Sequence, residues 1–549
     1  AIEHKGPGQY DREYLNYIQQ IVRSAARNGI SVFIDPHQDV WSRWTGGDGA
    51  PWWTLDAVGF NITSLFESGA TINQQEYGDP YPQMIWPTDH YRLATGTMNT
   101  LFFGGRTFAP EIQIEGQNVQ DYLQGHYIAS MKEVATVLAG EPNVLGYDTL
   151  NEPHTGMLGW QDLRIGGFIR HGWYQTWFQS MQLGEGFPQT VDVYDPPMLY
   201  NHTETLNKHA VRAWKDGEKC VWRRAGVWGI EVTGSPKINL PHHFSTVATA
   251  DVNVVRDHMV PFYKKYANEI RSCDEQSFIF LDRNTDFEDP EETKCPGQYL
   301  PEDDFYVWAP HWYDFVPLIF KSFKSWLGIS RKRRVPLPIL GKDSMISEFR
   351  RQMLELTDCS STIGRGGSPA ILGEVGIPFD MDKGEAFRTG DFSTEIYAMD
   401  ASLQAVESSL LSATIWNYSP DNCNERGDDW NGEDLSVFSS DQRSNISDIF
   451  SGIRAPPAVI RPYAMRTAGT PTAMKFDICT GIFKFTFRSD PAVKAPTLIF
   501  VPYYHYHQSP PCISVTAGSF QYKPEVQLVE VMHPEGQEIS ITVQIAPKR

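Results

Sequence analysis

Little of this sequence is cationic. Across 549 residues, 67 Asp and Glu stand against 47 Lys and Arg, a formal charge of −20. A chain that acidic is repelled by phosphate backbones, which argues against a nucleic-acid partner. Long apolar runs are absent too. No run reaches the roughly 18 residues that a membrane-spanning helix needs, so no span is expected. Cysteine is scarce, with seven scattered residues and no C-x-x-C pair, which removes the usual zinc patterns. A reducing compartment is the simpler reading, and one or two disulfides stay open. There is no phosphate-cradling glycine loop, no internal repeat, no low-complexity tract and no leader pattern at Ala1. His242-His243 and His505-Tyr506-His507 lack companion ligands, so neither a metal nor a cofactor is expected.

Aromatics are plentiful, at 13% of the chain with 16 Trp. They serve either a large core or flat platforms for a sugar or lipid. The length exceeds one domain and suits a barrel of about 250 residues with insertions, plus a smaller domain.

Asn143-Val-Leu-Gly-Tyr-Asp-Thr-Leu150 is a buried-strand pattern that ends in Asn151-Glu152-Pro153. The proline is expected to hold Glu152 extended and to stop a helix from starting. Pro369-Ala-Ile-Leu-Gly-Glu374-Val-Gly-Ile-Pro378 has the same form. Four further buried runs, at 30–35, 277–282, 305–310 and 412–417, also end in polar or aromatic residues. Helical periodicity falls at 10–28 (Tyr14, Ile18, Ile21, Val22, Ala25), 121–139, 251–272, 343–358 and 394–408. Alternating strand and helix predict an α/β (β/α)8 barrel, a TIM barrel with large insertions at 40–120 and 154–250. Only six strands can be found, so the first two are expected to lie before residue 1. Pro456, Pro457 and Pro462 mark a boundary. Short alternating runs follow at 475–478, 482–488, 497–506, 513–517, 520–532 and 538–545. The expected division is a barrel over 1–454 and a C-terminal antiparallel β-sandwich over 455–549.

In a barrel the C-terminal ends of the strands converge on one face. That face would gather His37, Asp39, Asn151, Glu152, His311, Tyr313, Glu374 and Trp416. Glu152 and Glu374 would end strands three steps apart and face each other. Two such carboxylates suit retaining glycoside hydrolysis, which needs a nucleophile and a proton donor roughly 5–5.5 Å apart. The donor must stay protonated near neutral pH, and a semi-buried lip flanked by Trp and Tyr disfavours its charged form. Asn151 can donate to a sugar 2-OH, Tyr313 can orient the nucleophile, and Trp416 can lie under the ring. His37 and His311 can bond sugar hydroxyls or Glu152. Arg331-Lys-Arg-Arg334, after Phe320-Lys-Ser-Phe-Lys-Ser-Trp-Leu327, reads as a solvated loop or as a patch for anionic membrane. A barrel that binds sugar or lipid without cleaving it is the rival from another class.

Asp35-Pro-His-Gln-Asp39, Leu150-Asn-Glu-Pro153, Ala309-Pro-His-Trp-Tyr313, Leu372-Gly-Glu-Val-Gly376 and Thr414-Ile-Trp-Asn-Tyr418 resemble glycoside hydrolase family 5, in its endoglycoceramidase-related branch. The insertion that opens Val40-Trp-Ser-Arg-Trp-Thr-Gly-Gly-Asp-Gly-Ala-Pro-Trp-Trp53 is similar to the fungal members of that branch, steryl β-glucosidases and glucosylceramidases. The resemblance implies Glu152 as acid/base and Glu374 as nucleophile, with a lipid glucoside as substrate, a steryl β-glucoside before glucosylceramide. It also implies a Trp-lined aglycone groove. A cellulase or mannanase would want a more open cleft. Family members carry an arginine on the second strand, a strand expected to be missing here. Cysteine usage and the family together point to an intracellular, cytoplasmic or vacuolar location with peripheral membrane contact.

Overall fold

The alternating pattern folds as α/β architecture followed by antiparallel sheets. The computed structural model describes residues 2–283, 295–300, 305–330, 337–507, 510–534, 536 and 538–547. The chain forms two compact units, one of residues 1–309 with 359–369, the other of 310–358 with 370–549.

The first unit is built on a four-stranded parallel sheet. Its strands are β1 (Val32–Ile34), β2 (Val144–Asp148), β3 (Phe278–Leu281) and β4 (Tyr306–Trp308), in that spatial order. Register pairs Ile34 with Tyr147, Phe280 with Asp148, and Leu281 with Trp308. Gly146 permits the close approach of β2 to β3, since a Cβ there would lie 1.9 Å from the Phe278 carbonyl oxygen. Helix α1 (Arg12–Arg27) precedes β1, α2 (Leu93–Phe108) and α3 (Val119–Leu138) lie between β1 and β2, and α4 (Val260–Arg271) lies between β2 and β3. Asp11 caps α1 by accepting from the Glu13 and Tyr14 amides, which satisfies donors that the helix cannot. Leu15 and Val22 are its buried residues, while Tyr14 and Ile21 are exposed. The apolar stripe is thus turned from the one read in the sequence. Burying each of those two side chains stabilises by about 1.5–3 kcal/mol. Helix α3 packs on α1, α2 and α4. Cys295 and Cys359 form a disulfide.

The insertions make their own core. Trp177, Trp214, Trp222 and Trp228 are almost wholly buried, and Trp41, Trp53 and Trp160 nearly so. These side chains pack the insertions, whereas Trp52 is exposed and Trp44 and Trp173 are half-buried. Residues 154–250 also carry a three-stranded antiparallel sheet (Gly172–Tyr174, Gln189–Tyr194, Tyr200–Leu206).

In the second unit β5 (Ile371–Val375) and β6 (Ser412–Ile415) run parallel. The helices α5 (Lys342–Thr357) and α6 (Ser393–Ser409) pack on each other. Among the described residues the six parallel strands therefore make a sheet of four and a separate pair, and the expected eight-stranded barrel is not closed. The basic run Arg331–Arg334 lies outside the described residues.

Two four-stranded antiparallel sheets follow. Their strands are β7 (Tyr463–Arg466), β8 (Gly469–Asp477), β9 (Ile482–Ser489), β10 (Thr497–Phe500), β11 (Cys512–Val515), β12 (Ser519–Lys523), β13 (Leu528–Met532) and β14 (Ser540–Ala546). The spatial orders are β7-β10-β13-β12 and β8-β9-β14-β11. Strict alternation buries Phe483, Phe485 and Phe487 of β9 with Ile541, Val543 and Ile545 of β14. The run 497–506 is a strand followed by a helical turn, Tyr503–Tyr506, and 520–532 is two strands.

Candidate active site

Three strand ends of the first unit carry polar residues that bind one another. After β1, His37 Nε2 lies 3.0 Å from Asp39 Oδ2 and 3.9 Å from Asp48 Oδ2. Asp39 Oδ1 accepts from Asn151 Nδ2 at 3.4 Å. Gln38 Nε2 donates to the carbonyls of Asn151 (3.0 Å) and Glu152 (3.3 Å). After β3, Asp282 Oδ2 accepts the Glu152 amide at 2.7 Å.

Glu152 was expected to be extended. Its φ is +38°, in the left-handed region that residues with a Cβ seldom adopt. The proline behind it does not set this conformation. The amide is turned toward Asp282, and that bond competes with the local preference. Two residues on, the ring of His154 stacks on His90, with centroids 4.3 Å apart and planes 15° apart. Burial holds the His90 imidazole well below its ordinary pKa, neighbouring His154 adds to this, and the Glu152 carboxylate opposes it. His90 is therefore neutral at physiological pH, so it places no cation beside Glu152.

In the second unit Glu374 is the penultimate residue of β5 and is buried. Tyr313 Oη donates to Glu374 Oε2 at 2.6 Å, and His311 Nδ1 lies 3.3 Å from the same oxygen. The Trp312 amide donates to the Glu374 carbonyl at 3.0 Å. The backbone and side chains that follow β4 thus hold both ends of Glu374. Trp416 follows β6, and its amide donates to Val375 O at 3.0 Å. Gly376 makes this juncture possible, because a Cβ there would meet Trp416 O at 2.1 Å and the Tyr313 ring at 3.4 Å. The peptide Trp416–Asn417 is cis.

The first unit thus brings together His37, Asp39, Asn151 and Glu152, and the second brings together His311, Tyr313, Glu374 and Trp416. His37 and His311 engage carboxylates, at Asp39 and Glu374. Sequence reasoning passed over Gln38, Asp48, His90, His154 and Asp282. Gln38 and Asp48 lie in segments already singled out, and Asp282 was seen only as the end of a strand. The candidate metal histidines bind backbone carbonyls, His242 that of Gln161 and His243 that of Phe108.

Buried-strand ends bearing two carboxylates, each held by hydrogen bonds at its backbone or side chain, define the glycoside-hydrolase class. The cellulase family (glycosyl hydrolase family 5) matches residues 2–182, and the glycoside hydrolase family 5 C-terminal domain matches residues 461–543. A glucosylceramidase of Rhizopus delemar is 34% identical over 99% of this chain and 84% of its own length. An ergosteryl-beta-glucosidase of Saccharomyces cerevisiae is 30% identical over 98% of this chain and 84% of its own. The crystal structure of Cryptococcus neoformans sterylglucosidase 1 superposes with a TM-score of 0.91 at 29% identity, over 100% of this chain and 85% of that one. The chain belongs to glycoside hydrolase family 5. It is an enzyme, a glycoside hydrolase of the retaining, β-glucosidase type.

Proposed function

We propose that the chain hydrolyses lipid β-glucosides, steryl β-glucosides first among them, with Glu374 as nucleophile and Glu152 as acid/base. The likeness to an ergosteryl-beta-glucosidase and to a sterylglucosidase, over 98% and 100% of this chain, carries the reading. Hydrolysis of glucosylceramide is the second reading, and the 34% identity to the Rhizopus delemar enzyme favours it.

In the first step the Glu374 carboxylate attacks C1 of the glucosyl group. The bond from C1 to the sterol oxygen breaks, and Glu152 gives that oxygen its proton. A glucosyl ester on Glu374 and a free sterol result. In the second step the Glu152 carboxylate takes a proton from water as the water oxygen attacks C1, which releases glucose and restores both carboxyl groups. The hydrogen bond from Tyr313 and the adjacent His311 support the nucleophile's orientation. Asn151 is assigned to the sugar 2-OH, His37 and Asp39 to other hydroxyls, and Trp416 to the face of the ring.

The test is glucose release from ergosteryl β-glucoside and glucosylceramide side by side. We expect faster release from the steryl glucoside and a loss of about 10⁴-fold or more in Glu374→Gln. Faster release from glucosylceramide would move the assignment to the second reading, and glucose from neither would sink both.

A further inference from the structure

Glu152 is held in a backbone conformation that its sequence disfavours twice. A residue with a Cβ avoids φ near +38°, and a residue before proline is pushed toward the extended region. Such a conformation persists only where the surroundings impose it. Here the surroundings are two side chains from the flanking strand ends. Asp282 Oδ2 accepts the Glu152 amide at 2.7 Å. Gln38 Nε2 donates to both carbonyls of the Asn151–Glu152 segment, at 3.0 and 3.3 Å.

Both groups are themselves anchored. Gln38 is 8% exposed, and its Oε1 accepts the Trp41 amide at 3.1 Å, which fixes which way the amide faces. Asp282 is 1% exposed, its Oδ1 accepts the Arg283 amide at 2.6 Å, and Tyr263 Oη donates to its backbone carbonyl at 3.1 Å. A buried carboxylate is costly, and here it accepts two backbone amides, one of which belongs to Glu152.

We propose that Gln38 and Asp282 are positioning residues that clamp the Glu152 backbone and so aim its carboxyl group at the glycosidic oxygen. The proposal rests on the acid/base role assigned above to Glu152. Neither residue touches substrate or gives a proton. The Asp282 bond acts through the Glu152 amide, so its effect scales with how much the leaving group needs a proton, whereas Gln38 also holds the Asn151 carbonyl and adds a part that is the same for every leaving group.

That dependence separates the clamp from a merely structural role. The experiment measures kcat/KM on aryl β-glucosides graded in leaving-group acidity, from 2,4-dinitrophenyl to phenyl, for the parent chain, Asp282→Ala, Gln38→Ala and Glu152→Ala. With the dinitrophenyl substrate, whose leaving group departs unaided, Asp282→Ala should stay within about threefold of the parent, and Gln38→Ala, which also releases the Asn151 carbonyl, should lose somewhat more. With the phenyl substrate they should fall by about 10²-fold, the lower end of what general acid catalysis supplies. Asp282→Asn keeps an acceptor oxygen and should recover most of the loss. An equal loss across the whole series, or no loss, would overturn the clamp. If Asp282→Ala does not fold, Gln38→Ala and Asp282→Asn still decide between these results. Glu152→Ala tells the two failures apart. Should it show the steep leaving-group dependence while the clamp variants do not, only the clamp is lost. If Glu152→Ala shows none, the acid/base assignment fails and the clamp with it.

Discussion

Glu395 sits in the first turn of α6, where a helix dipole welcomes an anion. Yet the residue is 2% exposed, and its Oε2 has no hydrogen-bond partner among the described residues. Burial pushes its carboxyl up to about 7 from the ordinary 4.5, and the carboxylates of Asp382, Asp391 and Asp380 push the same way. Desolvation therefore outweighs the dipole. The sign of the linkage follows directly. Below pH 4.5 the group is neutral in both folded and unfolded chains, and nothing is lost. Between 4.5 and 7 the unfolded chain ionises first, so stability falls as pH rises, by up to about 3 kcal/mol in all. Above pH 7 the loss is complete. Glu395→Gln removes the charge and keeps the shape. It should match the parent at pH 4.5 and exceed it by about 1–3 kcal/mol at pH 8. Urea unfolding at the two pH values measures this, and an equal offset at both would mean that ionisation is not the cause.

At the scale of elements, a buried ion cluster ties α6 to the C-terminal sheets. Arg461 Nε bonds Glu407 Oε1 at 2.6 Å, Nη1 bonds Asp400 Oδ1 at 2.8 Å, and Glu407 Oε2 also accepts the Phe476 amide of β8 at 3.1 Å. None of the three side chains is more than 7% exposed. Removing the cation takes the guanidinium from buried Glu407 and leaves Asp400 with Lys342, 3.3 Å from its Oδ2, so Arg461→Ala should cost about 3–5 kcal/mol, most of it at Glu407. Combining Arg461→Met with Glu407→Gln and Asp400→Asn removes all three charges and keeps an acceptor for Phe476. That triple variant should recover most of the loss in thermal melting. If it melts no higher than the single variant, the shape of Arg461 matters more than its charge. Element types near this cluster were readable in advance, because the α6 segment carries helical periodicity and β9 alternates strictly. Helix α2 was not readable. It is buried on nearly all sides, which erases the polar stripe that periodicity needs, and Gly96 and Gly104 sit where Trp177 and Leu158 press in. Register was less legible than type, as α1 shows by burying Leu15 and Val22 while Tyr14 and Ile21 face out. The polar residues of the site were legible because each follows a buried run. Their partners were not, since Gln38–Asn151 and Glu152–Asp282 join positions 113 and 130 residues apart. No local pattern marks which strand end will hold which.

For the whole molecule, a formal charge of −20 sets the response to salt. Like charges spread over the surface repel in the folded state more than in the expanded chain, which destabilises the fold. Salt screens that repulsion over a Debye length of about 30 Å at 0.01 M and about 8 Å at 0.15 M. It also screens exposed ion pairs such as Arg388 with Glu385 and Arg12 with Glu133, but each such pair is worth only about 0–1 kcal/mol. Buried clusters, Arg461 with Glu407 and Asp400 and Arg454 with Asp434, are shielded from counterions. Screening should therefore relieve more repulsion than attraction. The melting temperature at pH 7.5 should rise as sodium chloride goes from about 10 to 300 mM, with most of the gain below about 150 mM, where the Debye length shortens fastest. Potassium chloride at matched ionic strength should give the same curve, which separates screening from ion-specific effects. A melting temperature that falls over this range would show that the exposed pairs act as a cooperative network and outweigh the net negative charge.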